Sequence, residues 1–271
     1  MKRVLIMPQF NEAHNILAVL EGAMAHVDHI VVVDDGSTDG SGALLRQWQS
    51  VHPHAFTLIT LEQNRGMSGA LLVGFSHVNR LLRLGLLRGE DVIVNIDADG
   101  QHRPEEIGSA VDLLVTGGYD VALGRRDLSG YPRLKQLGNR FLSWWASFLT
   151  GFAYHDVECG FRLMRARVVP QFLRYFSGRK YGCAQEIGVI TALLRLSVSN
   201  DLPTKINYYR HGARITDGFV NMSMGALAWA RVKLGMASDL EHLEQRVLTG
   251  ARVLCAVGGE LSAPSGTGTG H

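Results

Sequence analysis

The sequence has few cysteines and almost no net charge. Three cysteines among 271 residues, Cys159, Cys183 and Cys255, are widely spaced and odd in number. This usage predicts neither a disulfide framework nor a cysteine zinc site and favours a reducing compartment. Lysine and arginine total 27 against 25 acidic residues, for a formal net charge of +2. Because nucleic-acid-binding proteins usually carry a basic stripe, we expect no nucleic-acid partner.

Long hydrophobic runs are also missing. None reaches the roughly 18–20 residues that span a bilayer as a helix. The most apolar stretch, Phe141–Tyr154, is about four helical turns long and contains polar residues. The apolar segment near the start is cut by Pro8 and Asn11, which does not fit a secretory signal. We therefore expect a cytoplasmic protein, with peripheral contact to the cytoplasmic membrane face left open.

Two common phosphate-binding loops are absent. The chain has neither the Gly-x-Gly-x-x-Gly turn of NAD-binding proteins nor a Gly-Lys-Ser/Thr phosphate loop. The loop after the first apolar run, Pro8–Glu12, also lacks the glycines, arginine and lysine expected of a sugar-nucleotide pyrophosphorylase. Dehydrogenase, P-loop and pyrophosphorylase functions therefore lose their main support.

What is present is a regular alternation over the first 125 residues. Short runs rich in Val and Ile alternate with longer amphipathic segments, which predicts an α/β fold with a mostly parallel sheet. The predicted strands are Val4–Met7, Ile30–Asp34, Phe56–Leu61, Asp91–Ile96 and Tyr119–Leu123, and the predicted helices are Glu12–Ala25, Gly42–Gln49, Ser68–Arg83 and Pro104–Thr116. Ligands of such sheets bind beyond the carboxyl ends of the strands.

The alternation is lost after residue 125. Predicted helices there are Leu134–Leu149, Ala184–Leu196, Met222–Leu234 and Asp239–Val257, with strands at Phe161–Met164 and Lys205–Arg210. The pattern divides the chain into a catalytic domain over residues 1–235 and a helical tail over 236–262. Residues 263–271 are small and polar, and we expect them to be disordered.

Two acidic clusters follow predicted strands at the same edge of the sheet. The segment Asp34–Asp39 carries three carboxylates, and Asp97 and Asp99 follow the fourth strand. In an extended segment these two aspartates share a face, and Gln101 has the same parity. Hard oxygen ligands of this kind suit Mg²⁺ or Mn²⁺ bound together with a diphosphate. The alternative for each cluster is a solvated acidic turn.

Taken together, the motifs resemble the family-2 glycosyltransferases of the GT-A fold. The most similar subgroup is that of the polyprenyl-phosphate transferases of the dolichol-phosphate mannose synthase type, and the resemblance spans about residues 3–216. It rests on an ordered series of segments: Pro8–Glu12, Val32–Gly40, Asn64–Gly66, Asp97–Glu105, Gly124–Arg126 and Asp156–Arg162.

The resemblance implies roles for the donor side. Asp97, Asp99 and Gln101 would hold the metal and the donor diphosphate, and Arg210 would face that diphosphate. The family often continues with a lysine after this arginine, but here Arg210–Thr216 has none. The nucleoside site would be lined by Pro8, Phe10, Glu12, Asp35, Asp97 and Ala98.

Further residues are candidates on the acceptor side. Arg125 and Arg133 have the geometry to bind a phosphate. Asp156 is a candidate catalytic residue together with Asp99, Glu186 and Arg210, the alternative for Asp156 being a structural ion pair with Arg162. The alternative for Glu186 is a first-turn carboxylate stabilised by the helix dipole.

The function expected from the resemblance is inverting, metal-dependent sugar transfer from a nucleotide diphosphate sugar of the GDP-mannose or UDP-glucose type. The expected acceptor is a polyprenyl phosphate, whose oxygen is already anionic, so no general base is required. Alternatives are a transferase acting on a soluble or glycan hydroxyl, and a non-catalytic nucleotide-sugar-binding subunit. Phe141–Tyr154 and Met222–Leu234 are candidates for contact with a membrane surface. The sequence does not indicate an oligomeric state.

Overall fold

A mixed β-sheet forms the centre of the protein in a computed structural model that describes residues 1–179, 182–206 and 215–254. The strands in chain order are β1 (Arg3–Gln9), β2 (His29–Asp34), β3 (Phe56–Leu61), β4 (Val92–Asn95), β5 (Val121–Arg126), β6 (Arg162–Arg165), β7 (Val198–Thr204) and β8 (Ala251–Leu254). Across these residues the sheet order is β7-β5-β6-β4-β1-β2-β3-β8. The parallel pairs are β1 with β2, β1 with β4, β2 with β3, and β5 with β7. Strand β6 is antiparallel to β4 and β5, and β8 is antiparallel to β3.

Helices cover both faces of this sheet. They are α1 (Ile16–Met24), α2 (Ser41–Val51), α3 (Gly66–Arg83), α4 (Ile107–Thr116), α5 (Arg133–Thr150), α6 (Val168–Leu173), α7 (Cys183–Leu193), α8 (Ile215–Lys233) and α9 (Leu240–Leu248). A single 3₁₀ turn, Pro104–Glu106, precedes α4. None of the helices in the described part of the chain is long and apolar enough to cross a membrane.

Strand β1 shows why the first half of the sequence folds in this way. Its side chains alternate between the two faces of the sheet, as the strand period requires. Val4 and Ile6 pack in a cluster with residues of α3, whereas Leu5 and Met7 pack in a second cluster with residues of α1 and α4. A strand buried on both faces must be apolar throughout. The predicted α/β class with a mostly parallel sheet is therefore confirmed.

Two elements in the second half differ from prediction. Strand β7 occupies Val198–Thr204, where no strand was predicted, and of the predicted strand Lys205–Arg210 the structure describes only Lys205 and Ile206, the latter in an isolated bridge with His102. Residues 207–210 lie outside the described part of the chain. Strand β7 contains Pro203, which an edge strand tolerates because one side of its backbone makes no ladder bonds.

The predicted helix Asp239–Val257 is also wrong in its second half. Helix α9 ends at Leu248, and Gly250, with φ of +76°, reverses the chain into β8, which pairs antiparallel with β3. The segment after residue 235 is therefore not wholly helical. Leu243 and Val247 of α9 pack in the same core cluster as α3. The division into domains at residue 235 stays a prediction.

Candidate active site

An open cleft lies at the carboxyl ends of β1, β2 and β4, beside the start of α3. The cleft contains every residue assigned by resemblance to the nucleoside site, together with Asp99. Its lining is formed by Pro8, Gln9, Phe10, Glu12, Asp35, Asn64, Gly66, Met67, Ala70, Asp97, Ala98 and Asp99.

The turn after β1 supplies an aromatic ring and a carboxylate to the cleft. Phe10 is 44% exposed, which leaves much of its side chain in contact with solvent. Glu12 lies near Asp99 and Asp39. Partial burial raises the pKa of Glu12, Asn15 opposes this by donating a hydrogen bond to the carboxylate, and the two aspartates raise the pKa further. The cleft thus combines an apolar face with a concentration of acidic groups.

Asp35 is the member of the Asp34–Asp39 cluster that lines the cleft. Its Oδ1 accepts a hydrogen bond from the backbone N–H of Arg65 at 2.7 Å, and burial raises its pKa. The other two carboxylates hold the loop together. Oδ1 of Asp34 accepts from the Gln9 side-chain amide at 2.7 Å, and Oδ2 of Asp39 accepts from the Ala13 backbone at 2.8 Å. The structure does not bring all three acids of Asp34–Asp39 to one ligand site.

Asp97 and Asp99 both line the cleft, although the chain between them is not extended as expected, because it turns at Ala98. Burial raises the pKa of Asp99, and the neighbouring charge of Asp97 raises it further. Burial also raises the pKa of Asp97, while the Arg162 and Arg126 guanidinium groups oppose that rise. Gly160 packs directly against Asp97, since a Cβ at position 160 would lie 2.2 Å from Oδ2.

Gln101 holds Asp99 in place. Its side-chain amide donates to Oδ2 of Asp99 at 2.7 Å, and its backbone N–H donates to Oδ1 at 2.9 Å. No group of three or more His, Cys, Asp or Glu side chains suited to a metal occurs among the described residues. Two carboxylates and one amide nevertheless fit a divalent cation that shares its remaining positions with phosphate oxygens and water. The charge of Asp97 raises the pKa of Asp99, and a bound cation would relieve this repulsion.

An ion pair between the buried Asp156 and the partly buried Arg126 lies beside these aspartates. Nε of Arg126 donates to Oδ2 of Asp156 at 2.7 Å, and Nη2 donates to Oδ1 at 2.8 Å. Burial would raise the pKa of Asp156, but the hydrogen bonds and charge of Arg126 outweigh it, and the pKa is lowered. Nη2 of Arg126 also donates to Asn139 of α5. The ion-pair partner of Asp156 is therefore Arg126 rather than Arg162, which donates to the Val157 carbonyl.

Two further acceptor-side candidates lie at different depths. Arg125, the neighbour of Arg126 on β5, forms an ion pair with Asp201 at 3.0 Å in which both side chains are exposed. Glu186 lies in the first turn of α7, is fully buried, and does not line the cleft. Burial raises the pKa of Glu186 to about 7, and its Oε2 has no hydrogen-bond partner. Arg210 lies outside the described residues.

Several residues of this region carried no role in the sequence analysis. Arg126 was quoted only as part of a motif. Glu158 is partly buried, accepts from Gln185 at 2.9 Å and from Asn221 at 2.8 Å, and has a pKa raised by desolvation. Pairings between distant segments carry no local sequence signal. In the cleft the unassigned lining residues are Gln9, Asn64, Gly66, Met67 and Ala70, of which Gln9, Asn64 and Gly66 belong to motifs that could have indicated them.

The fold is similar to that of a solved synthase. Glucosyl-3-phosphoglycerate synthase from Mycobacterium tuberculosis, in complex with UDP, matches with a TM-score of 0.60 at 19% identity, over 86% of this chain and 80% of that one. The same protein in complex with Mn²⁺ and UDP-glucose matches with a TM-score of 0.56 at 20% identity, over 88% and 80% of the two chains. This likeness shows the fold, which is of the GT-A type.

Sequence comparison shows the family. Residues 4–168 match Glycosyl transferase family 2. Undecaprenyl-phosphate mannosyltransferase from Micrococcus luteus is 31% identical over 203 residues, covering 72% of this chain and 79% of that protein. Polyprenol monophosphomannose synthase from Mycolicibacterium smegmatis is 34% identical over 178 residues, covering 63% of this chain and 64% of that protein, just under two thirds of its length. The chain belongs to glycosyl transferase family 2 and is a glycosyltransferase.

Proposed function

We propose that the protein transfers a glycosyl group, with inversion, from a nucleotide diphosphate sugar to a polyprenyl phosphate. The observation that carries the proposal is the cleft at the strand ends, in which Phe10, Asp35 and the Asp97–Asp99 turn face one space. Both family relatives described above have names that refer to polyprenol or undecaprenyl-phosphate, which supports the choice of acceptor.

The donor nucleoside fits the side of the cleft formed by β1 and β2. The Phe10 ring has the exposure needed to stack on a base. Asp35 is held from behind by the Arg65 backbone, so its remaining lone pairs can accept hydrogen bonds from a base edge or a ribose hydroxyl. Asp97 and Ala98 border the same space, where the ribose would lie.

The diphosphate fits the side formed by the β4 turn. Asp97 and Asp99 would hold Mg²⁺ or Mn²⁺, with Gln101 fixing the orientation of Asp99 and available as a further oxygen ligand. When bound, the ion supplies charge neutralisation for the leaving diphosphate. Arg210 would add a second positive charge facing the diphosphate. The two carboxylates hold the ion only while both are ionised. Because burial raises the pKa of each, the positive charge of the bound ion would favour their ionised forms.

The acceptor phosphate would approach from the β5 side. Its oxygen is already anionic and needs no general base to attack the anomeric carbon. Within the described part of the chain Arg125 pairs with the exposed Asp201, and exposed pairs of this kind are weak. A phosphate can therefore replace Asp201 as the partner of the Arg125 guanidinium. The oxygen–carbon bond forms as the bond to the nucleoside diphosphate breaks on the opposite side.

A second candidate acceptor is a soluble or glycan hydroxyl, which must lose a proton. Glu186 favours this candidate, because a carboxyl with a pKa of about 7 can accept a proton near neutral pH. Asp156 is a poor base, since Arg126 lowers its pKa. Glu186 lies outside the cleft lining, so a hydroxyl acceptor would have to reach it by another path.

A transfer assay with labelled donors tests the proposal. Purified protein is incubated with GDP-mannose, UDP-glucose or UDP-N-acetylglucosamine, with Mg²⁺ or Mn²⁺, and with either a short-chain polyprenyl phosphate or soluble sugars. We expect transfer to the lipid phosphate, loss of at least about 10²-fold in the Asp99→Asn variant, and little change in Glu105→Gln, an exposed acid outside the cleft. Transfer to soluble sugars alone would select the hydroxyl acceptor. Donor binding without any transfer would select a non-catalytic subunit.

A further inference from the structure

The chain that packs against Asp97 lies just before β6, in residues 155–161, and forms neither helix nor strand. Gly160 of this segment is so close to Asp97 that an added Cβ would lie 2.2 Å from Oδ2. A segment without regular backbone pairing is positioned by its side chains and by single hydrogen bonds. The contacts of the 155–161 segment therefore determine the space that is left for the Asp97 carboxylate.

The first contacts of the 155–161 segment are with β5, α5 and α7. Asp156 is the ion-pair partner of Arg126 in β5. The Val157 N–H donates to Oγ of Ser143 in α5 at 3.2 Å. The Val157 side chain packs on α7, where a Cβ on Gly188 would lie 2.7 Å from it. The segment is thus anchored at residues 156 and 157.

Glu158 adds an anchor that reaches α7 and α8. Its carboxylate accepts from the side-chain amide of Gln185 in α7 at 2.9 Å and from that of Asn221 in α8 at 2.8 Å. The Gln185 amide also donates to the Leu142 carbonyl of α5 at 3.2 Å. The polar cluster at Glu158 therefore joins three helices to a turn that lies two residues before Gly160.

This polar cluster is costly for the fold. The side-chain carbonyl oxygens of Gln185 and Asn221 are buried and have no hydrogen-bond partner among the residues that the structure describes. Desolvation also raises the pKa of Glu158. Unpaired buried acceptors and a desolvated carboxylate lower stability, and apolar side chains of similar volume would hold the helices at least as well. The cluster is better explained by what it positions than by stability.

Glu158 can act on the reaction only through its neighbours. It does not line the cleft, so it does not touch the donor there. Two residues of extended chain span at most about 7 Å, which keeps Gly160 close to the anchored turn. Because Gly160 already packs against Oδ2 of Asp97, a shift of the turn would change the position of that carboxylate.

We propose that Glu158 is a positioning residue, which through Gln185 and Asn221 fixes the 155–161 segment and thereby the Asp97 carboxylate. The inference rests on the proposed function in one respect, the assignment of Asp97 as a metal ligand. Groups that orient a metal ligand without touching the ion contribute roughly 10–100-fold to metal affinity. Loss of the Glu158 anchor should therefore weaken the binding of a divalent ion.

Binding of Mn²⁺ to the full chain tests the proposal without relying on turnover. Free Mn²⁺ is followed by electron paramagnetic resonance, with GDP or UDP present to supply the diphosphate. Glu158→Met fills a similar volume without hydrogen bonds and should weaken Mn²⁺ binding at least about tenfold. Asn221→Leu removes the bond to α8 alone and should act in the same direction, so the test does not depend on the folding of one variant.

The conservative variant Glu158→Gln should restore the anchor. A carboxylate only accepts hydrogen bonds, whereas a glutamine side chain both accepts and donates. The new side chain can accept from Gln185 and donate to the Asn221 carbonyl once the Asn221 amide has turned over. We expect Glu158→Gln to bind Mn²⁺ within about threefold of the parent, because both connections are kept.

Glu244→Met is the matched control. Glu244 is a buried glutamate of α9 that also accepts from an asparagine amide, that of Asn79 in α3, and it does not line the cleft. Denaturant unfolding gives the stability that each variant loses. We expect Glu244→Met to lose stability while its Mn²⁺ affinity stays that of the parent. A general weakening of the fold would then not account for the loss of affinity in Glu158→Met.

The Asp97→Asn background shows whether Glu158 acts through Asp97. Asp99, Gln101 and the diphosphate remain to hold the ion in this background. Two changes that act through the same carboxylate are not additive. We therefore expect Glu158→Met to alter Mn²⁺ affinity by less than about twofold when Asp97 is already replaced.

The remaining outcomes overturn the proposal. Parent-like Mn²⁺ affinity in Glu158→Met, an effect of equal size in the Asp97→Asn background, or weak binding by Glu158→Gln would remove the role of Glu158 and leave the metal assignment standing. Parent-like binding by Asp97→Asn, or no Mn²⁺ binding by the parent, would overturn that assignment in the proposed function together with this inference.

Discussion

The backbone N–H of Arg65 donates to Asp35 in the cleft, while the guanidinium of the same residue binds the end of helix α9. Its Nη1 donates to the Val247 carbonyl at 2.8 Å and its Nη2 to the Thr249 carbonyl at 2.9 Å. A cation at the carboxyl end of a helix satisfies carbonyls that have no partner within the helix. One residue thus connects the cleft with a segment beyond the family-matched residues.

Replacing Arg65 should therefore affect donor binding and stability together. We expect Arg65→Ala to lower the free energy of unfolding by about 1–3 kcal/mol, because two side-chain hydrogen bonds to carbonyls are lost, and to raise the donor KM more than it lowers kcat. Arg83→Ala is the matched control. Arg83 binds Glu244 of the same α9 at the other end of α3, so its loss should lower stability without raising the donor KM. Equal KM values in both variants would contradict the connection.

The pair of Arg126 and Asp156 should make stability depend on acid. Arg126 lowers the pKa of Asp156 in the folded protein. The stabilisation is therefore present above the pKa of the unfolded chain, near 4, and is lost as the pH falls through the lower folded value. Asp156→Asn should lower the free energy of unfolding at pH 7 by roughly 1–3 kcal/mol, because the partly buried Arg126 is left without its charge partner. Denaturant titration at pH 7 and in acid measures both effects, and a variant that loses equal stability at every pH would refute the explanation.

Glu186 should show the opposite pH dependence. Burial raises its pKa to about 7, so the folded protein holds a proton that the unfolded chain releases near pH 4.5. The contribution of this group to the free energy of unfolding is fully present below pH 4.5 and is lost as the pH rises to about 7. Glu186→Gln removes that loss, and its stability relative to the parent should improve by on the order of 3 kcal/mol between pH 4.5 and pH 8. Unfolding curves of the two proteins across this range provide the measurement.

The activity of the same variant separates the two acceptor classes. With a lipid phosphate acceptor, Glu186→Gln should retain activity within a few-fold, because no proton must be removed from the acceptor. If the acceptor is a hydroxyl and Glu186 is the base, the variant should lose about 10²–10⁴-fold in kcat.

Gly160 offers a way to displace Asp97 without removing its carboxylate. An added Cβ would lie 2.2 Å from Oδ2 of Asp97, which no side chain tolerates without movement. We expect Gly160→Ala to reduce kcat/KM for the donor by at least about tenfold, since small misplacements at a reacting centre have large effects. Gly138→Ala in α5 is the control, because a Cβ there meets nothing within 4 Å. Equal activity in the two variants would show that Asp97 does not need its present position.

The sequence predicted those parts of the molecule that depend on local pattern. The apolar runs located β1 to β5, and the residues assigned to the nucleoside site by resemblance do line one cleft. The ion pair between Arg126 and Asp156 was not predicted, because it joins two segments 30 residues apart. Strand β8 was read as helix, since its few residues become a strand only by pairing with β3. Tertiary contacts override local propensity in such short segments.

The bond between Arg65 and Thr249 joins residues 184 positions apart, and β8 pairs with β3 over a similar separation. Contacts of such long range form late, because closing a large loop is entropically costly before any contact rewards it. During synthesis, the first half of the sheet can assemble as soon as its own strands emerge. The loop at Arg65 that supports Asp35 must wait until residue 249 has left the ribosome. The cleft is therefore completed only after nearly all of the described chain has been made, so a truncated product would lack the support that Arg65 gives it.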